Sequence, residues 1–282
     1  MHRVRVLDWA TSSSGAVNED LFGSADTHAW IIDGASGLGA RPRTPGPTDA
    51  AWLSQRLDRL LATTRGSPCS TGWIRQVQAG VDREFAWCRR RFATPCRQPA
   101  AAMAAVRATP CGIDMISIGD CAIFYEAPDG SVRRFGSSRV ARYDQKAEAI
   151  LHEVLAAGGS WLEALPAMRR QILRNRQRAN QTGGYWVVQP NADWARRTQR
   201  RRQVIADGSA ILLATDGLTR LIDCYGALLD PAGLLAASQR GLQSLINTLR
   251  RIEARDPDCV VHPRIKPVDD ATGLLLEVVH AP

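Results

Sequence analysis

Apolar residues recur at helical spacing from Thr48 to Thr64, where Trp52, Leu53, Leu57, Leu60 and Leu61 fall on one face, and again from Trp73 to Phe92 through Val77, Val81, Phe85 and Cys88. Both stretches predict amphipathic helices. A further helical block begins near Tyr143. Within it, Ser160-Trp161-Leu162-Glu163 has the form of a capping box that opens a stripe of Trp161, Leu165, Met168 and Ile172. Leu242, Leu245, Leu249 and Ile252 mark one more helix. Between these lie short runs rich in β-favouring residues: Ala29 to Ile32, Ile113 to Ile118, Ala210 to Ala214, and Leu274 to Val279. They are apolar without alternation, which suits strands covered on both faces. Cys121 to Glu126 and Ser131 to Phe135 flank Ala127-Pro128-Asp129-Gly130, a turn sequence that predicts an antiparallel hairpin and argues against a doubly wound parallel sheet. Paired helices, then several strands, then more helices describe an α+β fold in α/β/β/α layers, with two antiparallel sheets inside.

The prolines of Arg41-Pro42-Arg43-Thr44-Pro45-Gly46-Pro47 predict a loop, as does an arginine-rich insert at about 174–202 within one domain spanning 1–282. In that insert Tyr185, Trp186 and Trp194 interleave with arginines. Two readings stand for it: a docking surface for an acidic partner, or a solvated helix end followed by a variable loop. Composition adds exclusions. With 45% hydrophobic and 23% charged residues the 282-residue chain is globular, and no apolar run reaches the roughly 18 residues of a membrane helix. The N-terminus enters a polar, strand-like segment without a signal-peptide core, so no membrane is expected as a partner and the expected location is cytoplasmic. Seven cysteines, none in a C-x-x-C pair, fit a reducing compartment, and the five histidines are scattered. Any bound metal should therefore have oxygen ligands. The net charge of +8 is almost entirely arginine, since Lys146 and Lys266 are the only lysines. A GC-rich genome can produce that bias. Nothing reads as a nucleic-acid-binding motif, and no nucleic acid is expected as a partner.

The acids carry the sharper signal. Trp30-Ile31-Ile32-Asp33-Gly34, Ile116-Ser117-Ile118-Gly119-Asp120 and Leu212-Leu213-Ala214-Thr215-Asp216-Gly217 each end an apolar strand on a carboxylate. Asp269-Asp270 stand just before the strand Ala271 to Val279, and Asn18-Glu19-Asp20 precede Leu21-Phe22. A buried carboxylate is costly unless it is paired or bound to a cation. Converging carboxylates without histidine or cysteine select hard ions such as Mg2+ or Mn2+. Taken singly, each motif is also an ordinary turn or strand-end cap, as Asp129-Gly130 and Asp207-Gly208 are expected to be.

In their order along the chain, Asn18-Glu19-Asp20, Ile32-Asp33-Gly34, Ile118-Gly119-Asp120, Ala214-Thr215-Asp216-Gly217-Leu218 and Asp269-Asp270-Ala271-Thr272 resemble the motifs of the metal-dependent protein phosphatase family, the protein phosphatase 2C type, from about Asn18 to Val278. The resemblance implies a β-sandwich flanked by helices with a binuclear Mn2+ or Mg2+ centre at one end, carrying two or three ions. By position, Asp33 would bridge both metals and Gly34 would lend its carbonyl. Asp216 and Asp269 would hold the first metal, Glu19 and Asp20 would serve the second directly or through water, and Asp120 matches a third, weaker position. Asp33, Asp216 and Asp269 are thus the expected catalytic acids. The implied reaction is hydrolysis of phosphoserine or phosphothreonine in a protein substrate, with the product of a cognate kinase as one candidate, by a water activated between two ions.

The chain departs from the family pattern in four places. Gly15 stands where the family usually has an arginine gripping substrate phosphate, so either another arginine substitutes or that grip is weaker. Gly34-Ala35-Ser36-Gly37 differs from the usual glycine-rich stretch, Asp120 is followed by Cys121-Ala122 rather than Ser-Arg, and Pro99 to Met103 replaces a Gly-Thr-Thr-like segment. Two other functions stay open: a catalytically weak phosphoprotein-binding or regulatory module of the same fold, and a phosphatase of small metabolites.

Overall fold

The computed structural model describes residues 2–35, 42–65, 67, 69–88, 98–136 and 139–280. Among these, ten strands form two five-stranded sheets in which every neighbouring pair is antiparallel. One sheet runs β1 (His2–Ser12), β10 (Ala271–His280), β9 (Ala210–Ala214), β6 (Ala122–Glu126), β7 (Val132–Phe135); the other runs β2 (Leu21–Ala25), β3 (His28–Ala35), β4 (Ala100–Thr109), β5 (Gly112–Ile118), β8 (Gln199–Gln203). Side chains alternate along the strands, and in β3, β4, β5, β6, β9 and β10 both faces are buried. Ala29 and Ile31 of β3 and Ala104 and Val106 of β4 fill the space between the sheets together with Ile211, Leu213, Leu274 and Leu276. Their neighbours Trp30, Ile32, Met103 and Ala105 pack outward on Leu53, Leu57, Val77 and Phe85 of α1 (Asp49–Thr63) and α2 (Ser70–Phe85). On the opposite face, Leu212 and Leu275 meet α5 (Asp216–Asp223), α6 (Pro231–Gln239) and α7 (Leu242–Arg255) through Leu218, Leu234, Leu245 and Leu249. This is the expected four-layer α/β/β/α sandwich. Cover on both faces explains why its inner strands, such as β3, β5, β9 and β10, read as unbroken apolar runs.

The remaining helices, α3 (Ala141–Ala156) and α4 (Trp161–Arg176), pair through Ala147, Leu151, Ala164 and Met168, with Cys259 and Ile265 of the segment before β10 packed against them. The capping box opens α4: Ser160 N donates to Glu163 Oε2 at 2.7 Å and Glu163 N donates to Ser160 Oγ at 3.3 Å. Helix α1 starts behind Thr48, whose Oγ1 accepts from Ala51 N at 3.0 Å. Helix α2 starts at Ser70 rather than Trp73, with Cys69 as its cap, and ends at Phe85; residues 89–92 of the expected helix lie outside the described residues, as does Arg41 of the proline loop. The arginine-rich stretch is not a loop throughout. Arg174 and Arg176 close α4, a short 3-10 turn covers Ala195–Arg197, and Arg200 to Arg202 lie on β8. There antiparallel pairing sets Arg202 opposite Asp114, and its Nε donates to Asp114 Oδ1 at 2.6 Å.

Register also fixes where the acids gather. Asp33 lies opposite Ala102 and Ile118 opposite Met103, while Ala214 pairs with both Gly273 and Ala122. The ends of β3, β5 and β9 and the starts of β2 and β10 therefore meet at one end of the sandwich.

Candidate metal centre

Two glycines let the acid-bearing segments approach closely. Gly34 lies inside β3, where a Cβ would stand 2.7 Å from the carbonyl oxygen of Glu19 and 2.8 Å from Ser54 Oγ. Gly217, in the first turn of α5, would drive a Cβ into the carbonyl of Asp270. Each glycine thus follows an aspartate, and each is required by close backbone approach rather than by a sharp turn. Asp270 then ties the first loop to the start of β10: Oδ1 accepts from Ser14 N at 2.6 Å and Ser14 Oγ at 2.7 Å, and Oδ2 accepts from Glu19 N at 2.7 Å. Asn18 Oδ1 accepts from Asp20 N at 3.0 Å, and Thr215 Oγ1 donates to Asp20 Oδ2 at 2.9 Å. Asp20 Oδ1 is buried and has no hydrogen-bond partner among the described residues.

The charges of these acids reach one another. Burial, reinforced by Asp216 and Asp20, pushes Asp33 well above the usual carboxylate range. Burial and Asp216 do the same to Asp120, with Asp144 adding to the effect. Asp20 is pushed up to about 8, chiefly by burial. Asp216 is raised by burial and by Asp269, against the pull of Arg220 and Lys266. Asp269 goes the other way. Burial would raise it, yet Lys266 and Arg220 hold it below the usual range. Asp33, Asp120, Asp216, Asp20 and Asp269 are thus within electrostatic reach of one another, while Glu19 joins them through its main chain.

Three participants were not named from the sequence. Arg220 is one helical turn after Asp216 on α5, and its Nη2 donates to Asp269 Oδ2 at 2.7 Å. Lys266 Nζ donates to Asp269 Oδ1 at 2.7 Å. Asp144 of α3 is pushed up to about 7 by burial and by Asp216. The i+4 spacing of Arg220 from Asp216 was a readable signal; a lone lysine three residues before Asp269 reads as solvated. Beside Asp144, Arg142, Tyr143 and Lys146 line a cavity of about 430 Å3.

Among the described residues, no three carboxylate, imidazole or thiol groups are already drawn together as an ion cage. The donor set nevertheless fits a hard divalent cation. It consists of carboxylate and carbonyl oxygens, it includes a buried carboxylate oxygen without a partner, and the nearby Cys121 is kept protonated by burial and by Asp33.

The profile of protein phosphatase 2C matches residues 10–251. The chain belongs to the protein phosphatase 2C family. The matched residues include Glu19, Asp20, Asp33, Asp120 and Asp216 and stop before Asp269. Solved structures resemble this member over its whole length. The catalytic domain of the serine/threonine protein phosphatase PstP in complex with two manganese ions is 16% identical, with a TM-score of 0.55, covering 99% of this chain and 100% of that one. PstP/Ppp of Mycobacterium tuberculosis is 14% identical, with a TM-score of 0.56 and the same coverage. Stp1 of Staphylococcus aureus is 13% identical, with a TM-score of 0.55, covering 100% of this chain and 96% of that one. At such identities the likeness is one of fold, and it extends the family architecture to β10. A comparison with curated proteins finds no match. No helix among the described residues is long and apolar enough to cross a membrane.

Proposed function

We propose that this protein phosphatase 2C member is a metal-dependent serine/threonine protein phosphatase using Mn2+ or Mg2+, with a phosphorylated protein, the product of a cognate kinase, as its substrate. One observation carries the reading: acids from five separate stretches gather at one end of the sandwich, and a buried oxygen of Asp20 among them has no hydrogen-bond partner among the described residues. In this reading Asp33 would serve both ions, with Asp216 and Asp269 holding the first; the Gly34 carbonyl, Glu19 and Asp20 would serve the second, and Asp120 a weaker third. Such ions, when bound, supply an acidified water for in-line attack at phosphorus and positive charge against the phosphoryl oxygens.

The protein's own residues prepare that end. Thr215 holds one oxygen of Asp20 and leaves the other for a cation, and Asp270 fixes the main chain of Glu19. Ser54 Oγ donates to the Glu19 carbonyl at 2.8 Å, which keeps Glu19 against Gly34. With glycine at position 15, the cationic side chains of Arg142 and Lys146, on the helix that carries Asp144, are the groups proposed to draw in the substrate phosphate. Purified protein with Mn2+ should hydrolyse an aryl phosphate and a phosphoserine peptide, and should lose both activities on chelation and in Asp33→Ala or Asp216→Ala. Folded protein that binds Mn2+ and phosphopeptide without turnover would instead be a phosphoprotein-binding module.

A further inference from the structure

Asp269 carries a cation on each oxygen. Arg220 Nη2 donates to Oδ2 at 2.7 Å; Lys266 Nζ donates to Oδ1, also at 2.7 Å, and Asp270 N donates to the same oxygen at 3.1 Å. The two cations are held very differently. The Arg220 side chain is 14% exposed, lies 3.6 Å from Glu253 Oε1, and donates through Nη1 to the Lys266 carbonyl at 3.3 Å. Removing it would leave Asp269 with Lys266 and Glu253 with Arg250 as their remaining cations, each short of a buried partner. The Lys266 side chain is 60% exposed, and its ion pair among the described residues is with Asp269.

The main chain around Lys266 is pinned. Asp256 accepts from the main-chain N–H groups of Val260, Val261 and His262, and Arg264 Nη1 donates to Asp256 Oδ2 at 2.6 Å. Arg264 Nε donates to the Pro267 carbonyl at 3.0 Å, and Trp161 Nε1 donates to the Ile265 carbonyl at 3.2 Å. The ammonium can therefore leave Asp269 by rotation of its own stem, regaining hydration and rotamer freedom while the loop stays in place.

We propose that Lys266 is a resident counter-ion of this centre: its ammonium occupies Asp269 in the metal-free protein and gives up that carboxylate when a divalent cation binds, while Arg220 stays. The inference rests on the reading of this end as a metal centre. A divalent ion gains from all the surrounding acids at once, whereas Lys266 pairs with one. Until it swings away, its positive charge opposes the incoming ion. Lys266 thereby weakens the centre's affinity and keeps Asp269 ordered when metal is scarce.

The chain has only two lysines, so amine labelling tests this directly. The protein is treated with acetic anhydride with and without Mn2+, and labelling of Lys266 is read by mass spectrometry against Lys146. Saturating Mn2+ should raise labelling of Lys266 by about threefold, the scale of a released exposed ion pair, and leave Lys146 unchanged. Titration calorimetry should show Lys266→Met binding Mn2+ about fivefold more tightly than wild type, with Lys266→Arg and the remote surface variant Arg240→Met close to wild type. If Mn2+ binds, Asp33→Asn weakens it, and yet Lys266 labelling does not rise and Lys266→Met binds no better, the counter-ion role is wrong while the metal centre stands. If wild type, Lys266→Met and Asp33→Asn all fail to bind Mn2+, the metal reading falls and takes this inference with it.

Discussion

The two sides of the acidic end balance their charge by different means. On the β10 side, Asp269 meets Arg220 and Lys266, and its carboxyl is held below the usual range although it is buried. On the β2 and β3 side, Asp20 has a hydroxyl on one oxygen and no hydrogen-bond partner among the described residues on the other, Asp33 is crowded by Asp216 and Asp20, and burial pushes both Asp20 and Asp33 upward. Side-chain cations stabilise one half and bound protons the other. A divalent ion entering this end would replace protons on the first two acids and compete with a lysine on Asp269.

The largest expected break in this contrast is Asp33→Asn. Metal-dependent aryl phosphate hydrolysis should fall by about a thousandfold or more, roughly 4 kcal/mol in transition-state terms. In chelator the same variant should unfold at higher urea, by about 1 kcal/mol, because a carboxyl surrounded by acids has been neutralised. Lost activity with lowered stability would contradict the uncompensated half. Arg220→Met probes the other half. It leaves Asp269 and Glu253 each short of a buried partner and should cost about 3 kcal/mol in metal-free urea unfolding; a loss below about 1 kcal/mol would mean that Lys266 and Arg250 suffice. Gly217→Ala, which presses a Cβ into the Asp270 carbonyl, should cost about 2 kcal/mol and loosen the join between α5 and β10.

The pH dependence should also differ between the halves. Asp20 is raised to about 8 and Asp144 to about 7, so the stability contributed by their protons is fully present below about pH 4 and is lost as pH rises through those values. Asp269, depressed in the folded protein, contributes stability that is lost only on acidification. In chelator, unfolding free energy should therefore fall between about pH 5 and 7 by about 1 kcal/mol per unit, and Mn2+ should flatten the profile. A rise over that range would reverse the assignment. The smallest effect concerns Gly15, where a Cβ would meet nothing within 4 Å. Gly15→Arg should leave stability within about 0.5 kcal/mol and lower KM for a phosphopeptide; an unchanged KM would show that the phosphate is gripped from elsewhere.

The acids at strand ends were legible because a carboxylate closing an apolar run stands out locally, and the Asp33-Gly34 and Asp216-Gly217 pairs mark the points of close approach. β4 was not legible. Ala100-Ala101-Ala102-Met103-Ala104-Ala105 is helix-favouring by composition, yet it is a central strand because small side chains let it sit between the inter-sheet core and the α1–α2 layer beside the bulkier Trp30, Ile31 and Ile32. β8 hid for the opposite reason: Gln199-Arg200-Arg201-Arg202-Gln203 is an edge strand with no apolar period, held by β5 and by the Arg202–Asp114 pair. Lys266 offered no pattern at all, because its partner is chosen by a proline-flanked, pinned loop rather than by helical or strand spacing.

The most direct test of the account is a crystal soaked in Mn2+ and measured at the manganese absorption edge. Two anomalous peaks should lie among Asp33, Asp216, Asp269 and the Glu19–Asp20 pair, with Lys266 turned away from Asp269 and Arg220 still in place. A well-ordered map with no peak at that end, and with both cations still on Asp269, would contradict the account.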